Sequence, residues 1–163
     1  MTTTPALLTD HYELTMVAAA LRDGTADRHC VFEVFARRLP PGRRYGMVAG
    51  TARLIEEILA FRFDEEQLGW LTATGVVDEA TAAWLRGYRF RGDVDGYAEG
   101  ELFFPGSPIL TVAGTFADCV VLETLVLSVL NYDRTSVSST TQSAKVPATV
   151  RMGEPGTNSS PSA

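Results

Sequence analysis

EGELFFPGSPILTVAGTFADCVVLETLVLSVLNY, residues 99–132, holds the longest and most apolar run in the chain. Its first half is β-prone. Residues 101–104 and 109–112 are short runs of strand formers, and Pro105-Gly106-Ser107-Pro108 between them fixes φ twice and permits a positive φ once. That pattern predicts a hairpin. Beyond Gly114 the period changes: Cys119, Val120, Val121, Leu122, Leu125, Leu127, Val129 and Leu130 are apolar nearly all round, the mark of a helix buried on several sides. Only Glu123 and Ser128 interrupt it. At about 12 apolar-rich positions the run is well short of the roughly 20 that span a bilayer, so no membrane segment is expected.

Working outward, Thr9 or Asp10 followed by Glu13 makes a capping box, and the helix it opens carries Met16, Val17, Ala20 and Leu21 to Gly24. DRHCVFEVFARR, residues 27–38, alternates Cys30, Phe32 and Val34 with Val31, Glu33 and Phe35, as a half-buried or central strand does. An Arg-rich loop follows, then a helix starting at Gly50-Thr51 with Leu54, Ile55, Ile58 and Leu59 at helical spacing. Asp64 and Asp78 open two shorter helices, DEEQLGWL and DEATAAWLRGY, with Trp70, Leu71, Trp84 and Leu85 expected in the core. Residues 89–99 read as another β segment. Helix, strand, three helices, three strands and helix make an α+β domain over residues 1–132, not the strict alternation of a doubly wound sheet.

At Asp133 the composition breaks. Twelve of the last 31 residues are Ser or Thr and three are Pro, so the segment buries too little to offset its ordering entropy, and residues 133–163 are expected to be a disordered tail. The core helix is then left without a covering layer, which would expose an apolar face to a partner. The tail, with the chain's only Lys, Lys145, among thirteen Arg, is what an out-of-frame reading of a GC-rich gene would give. A short isoform with a flexible tail is the competing account.

The overall balance narrows the function. A net charge of -6 over 163 residues argues against nucleic acid, whose phosphates call for a basic face. Cys30 and Cys119 lie far apart in apolar runs, and no signal peptide precedes them, so reduced thiols in a cytoplasmic protein are expected. His11 and His29 have no Cys or carboxylate at ligand spacing, and no metal site is expected.

Two stretches could carry chemistry. In LLTDHYELTM, residues 7–16, Asp10 and Tyr12 sit at a helix mouth, where a carboxylate and a ring can hold a flat polar ligand. The plainer reading makes Asp10 a cap and Tyr12 a core residue. In ARRLPPGRRYG, residues 36–46, arginine forks surround a Pro-Pro-Gly turn and suit a phosphate or diphosphate, while a solvated charged loop is the plainer reading.

LLTDHYELTM, VFEVFARRLPPGRRYGMVAG, EGELFFPGSPILTV and LETLVLSVLNY, in this order and at these separations, resemble the N-terminal part of nicotinate phosphoribosyltransferase over residues 7–132. The resemblance implies an N-terminal α/β-hammerhead-like domain, with most of the phosphoribosyl diphosphate site in a separate α/β barrel. The reaction it implies joins nicotinate to 5-phosphoribosyl 1-diphosphate, coupled to ATP with Mg²⁺, in NAD biosynthesis. Tyr12 then matches the tyrosine that lies against the nicotinate ring, across a dimer interface in relatives, and Asp10 the acidic residue beside it. Arg37 or Arg38 becomes the candidate for the phosphate end. The family's Glu-Met-Gly-x-Arg-Arg segment and barrel histidine have no match in this sequence, and neither His11 nor His29 replaces the latter. The chain alone is therefore expected to be inactive, with a homodimer or a separate barrel as its possible partner. The alternative is a non-catalytic interaction or binding module.

Overall fold

The computed structural model describes residues 5–137 and 148–153. Its main sheet has four antiparallel strands in the order β3-β5-β1-β6: β1 is His29–Ala36, β3 Asp93–Gly96, β5 Pro108–Thr115 and β6 Ala148–Gly153. β1 alternates as its sequence predicts, turning Cys30, Phe32, Val34 and Ala36 into the core. Phe32 faces Val112 and Val34 faces Leu110 across the β1–β5 pair, so the apolar faces of both strands coincide. A second sheet of two strands pairs β2, Gly46–Met47, with β4, Leu102–Phe103.

That second sheet corrects the expected hairpin. Residues 101–104 and 109–112 do reverse at Pro105-Gly106, where Gly106 takes φ +82°, but β4 pairs with β2 and β5 pairs with β1 and β3. The reason is steric as much as local. A Cβ on Gly46 would lie within 2.3 Å of the Phe103 ring, so a side-chain-free position in the Arg-rich loop receives the buried Phe103.

Among the described residues six α-helices accompany the sheets: α1 His11–Arg22, α2 Thr51–Ala60, α3 Glu65–Ala73, α4 Glu79–Arg86, α5 Phe116–Val120 and α6 Glu123–Val137. The arrangement is α+β, as expected. Asp64 accepts from the Gln67 amide at 2.8 Å and Asp78 from the Thr81 amide at 2.8 Å, so both predicted caps form. Three core assignments differ. Trp70 is 58% exposed, because Leu68 and Leu71 already fill the inner face of α3. On α2, Leu54 and Ile58 are buried while Ile55 is exposed and Leu59 is 77% exposed, which narrows the apolar stripe to a single row.

The predicted core helix is two helices, with Val121 and Leu122 at the break. It is not left uncovered: Val121, Leu122, Leu125, Val126, Val129 and Leu130 are all buried, with α2 and the 3-10 turn Pro5–Leu8 among the elements against α6. Two stretches beyond Tyr132 are among the described residues. α6 continues to Val137, and Ala148–Gly153 pairs with the outer edge of β1, Val31 opposite Gly153 through Ala36 opposite Ala148. An unpaired β1 edge offers backbone donors and acceptors that a short alternating stretch such as Thr149-Val150-Arg151-Met152 can satisfy. Residues 138–147 and 154–163 lie outside the described residues.

Candidate functional site

The α5–α6 break is where the first motif docks. Asp10 is the N-cap of α1, and its amide donates to Glu13 Oε2 at 3.1 Å, which is the Glu13 half of the predicted box. Glu13 Oε1 meanwhile accepts from the Thr124 amide at 2.8 Å and from Thr124 Oγ1 at 2.6 Å. One carboxylate thus caps two helices whose residues are 111 positions apart. Thr9 adds a third tie, its hydroxyl donating to the Val121 carbonyl at 3.1 Å. These bonds account for the break: the first amides of α6 need acceptors, and a side chain from α1 supplies one.

Glu13 is fully buried. Burial pushes its carboxyl up to about 7; the bonds from Thr124 and Asp10 pull the other way, and the charge of Glu123 raises it further. Tyr12, next along α1, points outward and is 46% exposed. Partial burial and the neighbouring carboxylates of Glu123, Glu13 and Asp10 push the phenol up. It stays protonated at neutral pH. A half-exposed ring at a helix mouth can stack on a flat ligand.

Asp10 and Tyr12 are therefore brought together, with Asp10 exposed at the helix mouth. Beside them a cleft of about 350 Å³ is lined by Leu7, Thr9, His11, Phe63, Trp70 and Leu71, which explains the outward Trp70. Arg37 and Arg38 are held by a different element. They leave β1 just after Ala36, whose carbonyl accepts from the Gly106 amide at 2.8 Å, and both are exposed. Arg43 and Arg44 follow the turn in which the Arg43 amide donates to the Pro40 carbonyl at 3.1 Å.

Glu123 and Thr124 were not among the residues the sequence reading assigned to the site. The one available signal was Glu123 itself, a carboxylate interrupting an otherwise apolar run. Among the described residues, no group of three or more His, Cys, Asp or Glu could hold a metal ion, and no helix is long and apolar enough to cross a membrane.

The nicotinate phosphoribosyltransferase (NAPRTase) N-terminal domain model matches residues 7–131. The chain belongs to this family. It is 64% identical over 133 residues to the nicotinate phosphoribosyltransferase pncB1 of Mycobacterium tuberculosis, covering 82% of this chain and 29% of that protein. To pncB2 of the same organism it is 40% identical over 149 residues, 90% of this chain and 31% of the relative. The chain thus spans under a third of the length of these relatives. The crystal structure of human nicotinic acid phosphoribosyltransferase superposes with a TM-score of 0.69 at 32% identity, over 76% of this chain and 25% of that one. That of a Vibrio cholerae nicotinate phosphoribosyltransferase gives 0.60 at 18% identity, which speaks to the fold alone. The motif that docks on the α5–α6 break lies inside the NAPRTase N-terminal domain match, and so do Arg37 and Arg38.

Proposed function

We propose that this chain supplies the nicotinate-facing wall of a cytoplasmic enzyme of NAD biosynthesis that joins nicotinate to 5-phosphoribosyl 1-diphosphate. The observation that carries the proposal is the half-exposed Tyr12 ring, carried on a helix turn that Glu13 pins to Thr124. Stacking on Tyr12 would order the pyridine ring. Asp10, Glu123 and the partly ionised Glu13 repel an anion, so the nicotinate carboxylate would face away from the α1 mouth. Arg37 or Arg38, at the exit of β1, is the candidate for the phosphate end. ATP and Mg²⁺ enter as companions of the proposed reaction, and no residue of this chain is assigned to them. A second copy or a barrel domain would close the opposite wall of the pocket.

The test is Tyr12→Ala and Tyr12→Phe at the equivalent position of a full-length relative. Loss of the ring should weaken nicotinate by about 1 to 2 kcal/mol, a factor of roughly 5 to 30 in KM, with kcat for whatever substrate still binds less affected. The Phe variant, which keeps the ring and loses only the hydroxyl, should retain most of the affinity. Unchanged nicotinate KM and kcat in the Ala variant would make Tyr12 a packing residue.

A further inference from the structure

We propose that Cys30 and Cys119 form a site of reversible oxidative modification, a dithiol that closes to a disulfide joining β1 to α5. Cys30 lies on the inward face of β1, and its register partner on β5 is Gly114. Directly opposed residues on one face of an antiparallel pair have their Cβ positions about 5 Å apart. Gly114 has no Cβ, and one built there would lie 3.3 Å from Cys119 Sγ. The sulfur from α5 therefore sits in the space that a side chain at 114 would take, opposite Cys30. Both thiols are free and buried. A second contact, Cys119 Sγ to the Val112 carbonyl at 4.0 Å, holds the sulfur over the β5 face.

The pair is electrically unequal. The neighbouring Cys119 lowers the Cys30 thiol below its ordinary value against the opposing effect of burial, while Cys30 and burial raise Cys119. Of the two, Cys30 is the thiol that ionises more readily. A cleft of about 530 Å³, lined among others by His29, Arg91, Gly114 and Asp118, reaches the backbone on either side of the pair. Neither sulfur lines that cleft, so a small hydroperoxide reaches the pair only as the packing around it opens.

The chemistry balances with a hydroperoxide as oxidant. Cys30 thiolate attacks one peroxide oxygen, the O–O bond breaks, and the leaving oxygen departs as water or alcohol with a proton, leaving a sulfenic acid on Cys30. Cys119 sulfur then attacks Cys30 Sγ, the S–O bond breaks, and the hydroxyl leaves as water with the Cys119 proton. Two electrons pass from the sulfurs to the peroxide. A dithiol reductant reverses the bond by exchange.

The experiment exposes the full 163-residue chain to hydrogen peroxide in native buffer, alkylates the remaining thiols, and maps peptides without reduction. The expected product is a monomer whose Cys30 and Cys119 peptides are linked and two hydrogen atoms lighter, restored by dithiothreitol. The same treatment in urea should link them at least about tenfold more slowly, because the folded geometry supplies the proximity. Cys30→Ser and Cys119→Ser should each abolish the linked peptide. Full alkylation of both thiols after oxidation, sulfinic acid on Cys30 with Cys119 still alkylated, links only between chains, or equal rates in urea would each overturn the proposal. The wild-type arms decide the matter even where a Ser variant fails to fold.

Discussion

The mouth of α1 and the exit of β1 both carry charged residues next to a family motif, yet the fold treats them in opposite ways. At α1 a buried carboxylate takes three hydrogen bonds, two of them from a helix 111 positions away, and fixes the exposed ring beside it. At β1 the exposed Arg37 and Arg38 enter a loop whose backbone is held at its start by the Gly106 bond to the Ala36 carbonyl. The lesson is that a buried charge specifies geometry because its alternatives are costly, whereas surface charges leave geometry to the backbone. Changing Glu13 should therefore unsettle the whole domain, and changing Arg37 or Arg38 should alter only what meets the loop.

The largest effect belongs to Glu13→Ala. It leaves the amides of Asp10 and Thr124 and the Thr124 hydroxyl without their acceptor at a part-buried junction of two helices, which should cost about 2 to 4 kcal/mol in urea unfolding. Glu13→Gln retains an oxygen for Thr124 and loses the Asp10 bond, so about 1 kcal/mol is expected. Arg37→Ala and Arg38→Ala should fall within about 0.5 kcal/mol of wild type. Equal losses for Glu13→Ala and the arginine variants would end the contrast.

Acidity sharpens it further. The Glu13 carboxyl moves from an ordinary 4.5 to about 7 on folding, chiefly through burial. Between those values the folded protein holds a proton that the unfolded chain has released. The contribution is therefore complete below about pH 4.5 and is lost as pH rises through about 7, for a total on the order of 3 kcal/mol. Denaturation midpoints measured from pH 5 to 7.5 should fall in wild type and stay flat in Glu13→Gln. Parallel curves would assign the trend to other groups, Asp118 first, since burial raises its carboxyl too.

Why the sequence exposed some of this and hid the rest follows from the range of each interaction. Caps at Asp64 and Asp78 were readable because donor and acceptor lie three residues apart. The alternation of β1 was readable because period two is written in the strand itself. The Asp10 to Glu13 bond was equally local, and so Glu13 was taken for a capping residue and nothing more. Its second acceptor role depends on where α6 begins, and no local pattern announces that. The pairing of β4 with β2 was hidden for the same reason: Phe103 finds its place over Gly46, and the hairpin-like Pro105-Gly106 turn pointed to the wrong partner. Ile55, Leu59 and Trp70 matched an apolar helical face, but helical spacing does not say how wide the covered stripe will be. Asp10 and Tyr12 were legible as a pair because a single helical turn holds both. The bond from Thr124 to Glu13 that pins their helix turn was not.

The smallest effect concerns the arginines themselves and divides one loop into two parts. Arg37 and Arg38 follow directly on a strand whose last carbonyl is fixed by Gly106, so their Cα positions inherit the rigidity of the sheet. Arg43 and Arg44 lie past the Pro40-Pro41-Gly42 turn, five residues farther from that anchor than Arg38 at the nearest, and before the two-residue strand β2. A fork that must meet a phosphate oxygen in fixed geometry gains most where less of its freedom remains to be lost on binding. In a full-length relative, Ala at the position of Arg37 or Arg38 should raise the KM for phosphoribosyl diphosphate by about three- to tenfold, roughly 1 kcal/mol. Ala at Arg43 or Arg44 should change it less than about twofold. Nicotinate KM should move in neither pair, since the stacking ring is set by α1 and α6. A response confined to Arg43 and Arg44 would place the phosphate on the turn and make the strand exit a solvated edge.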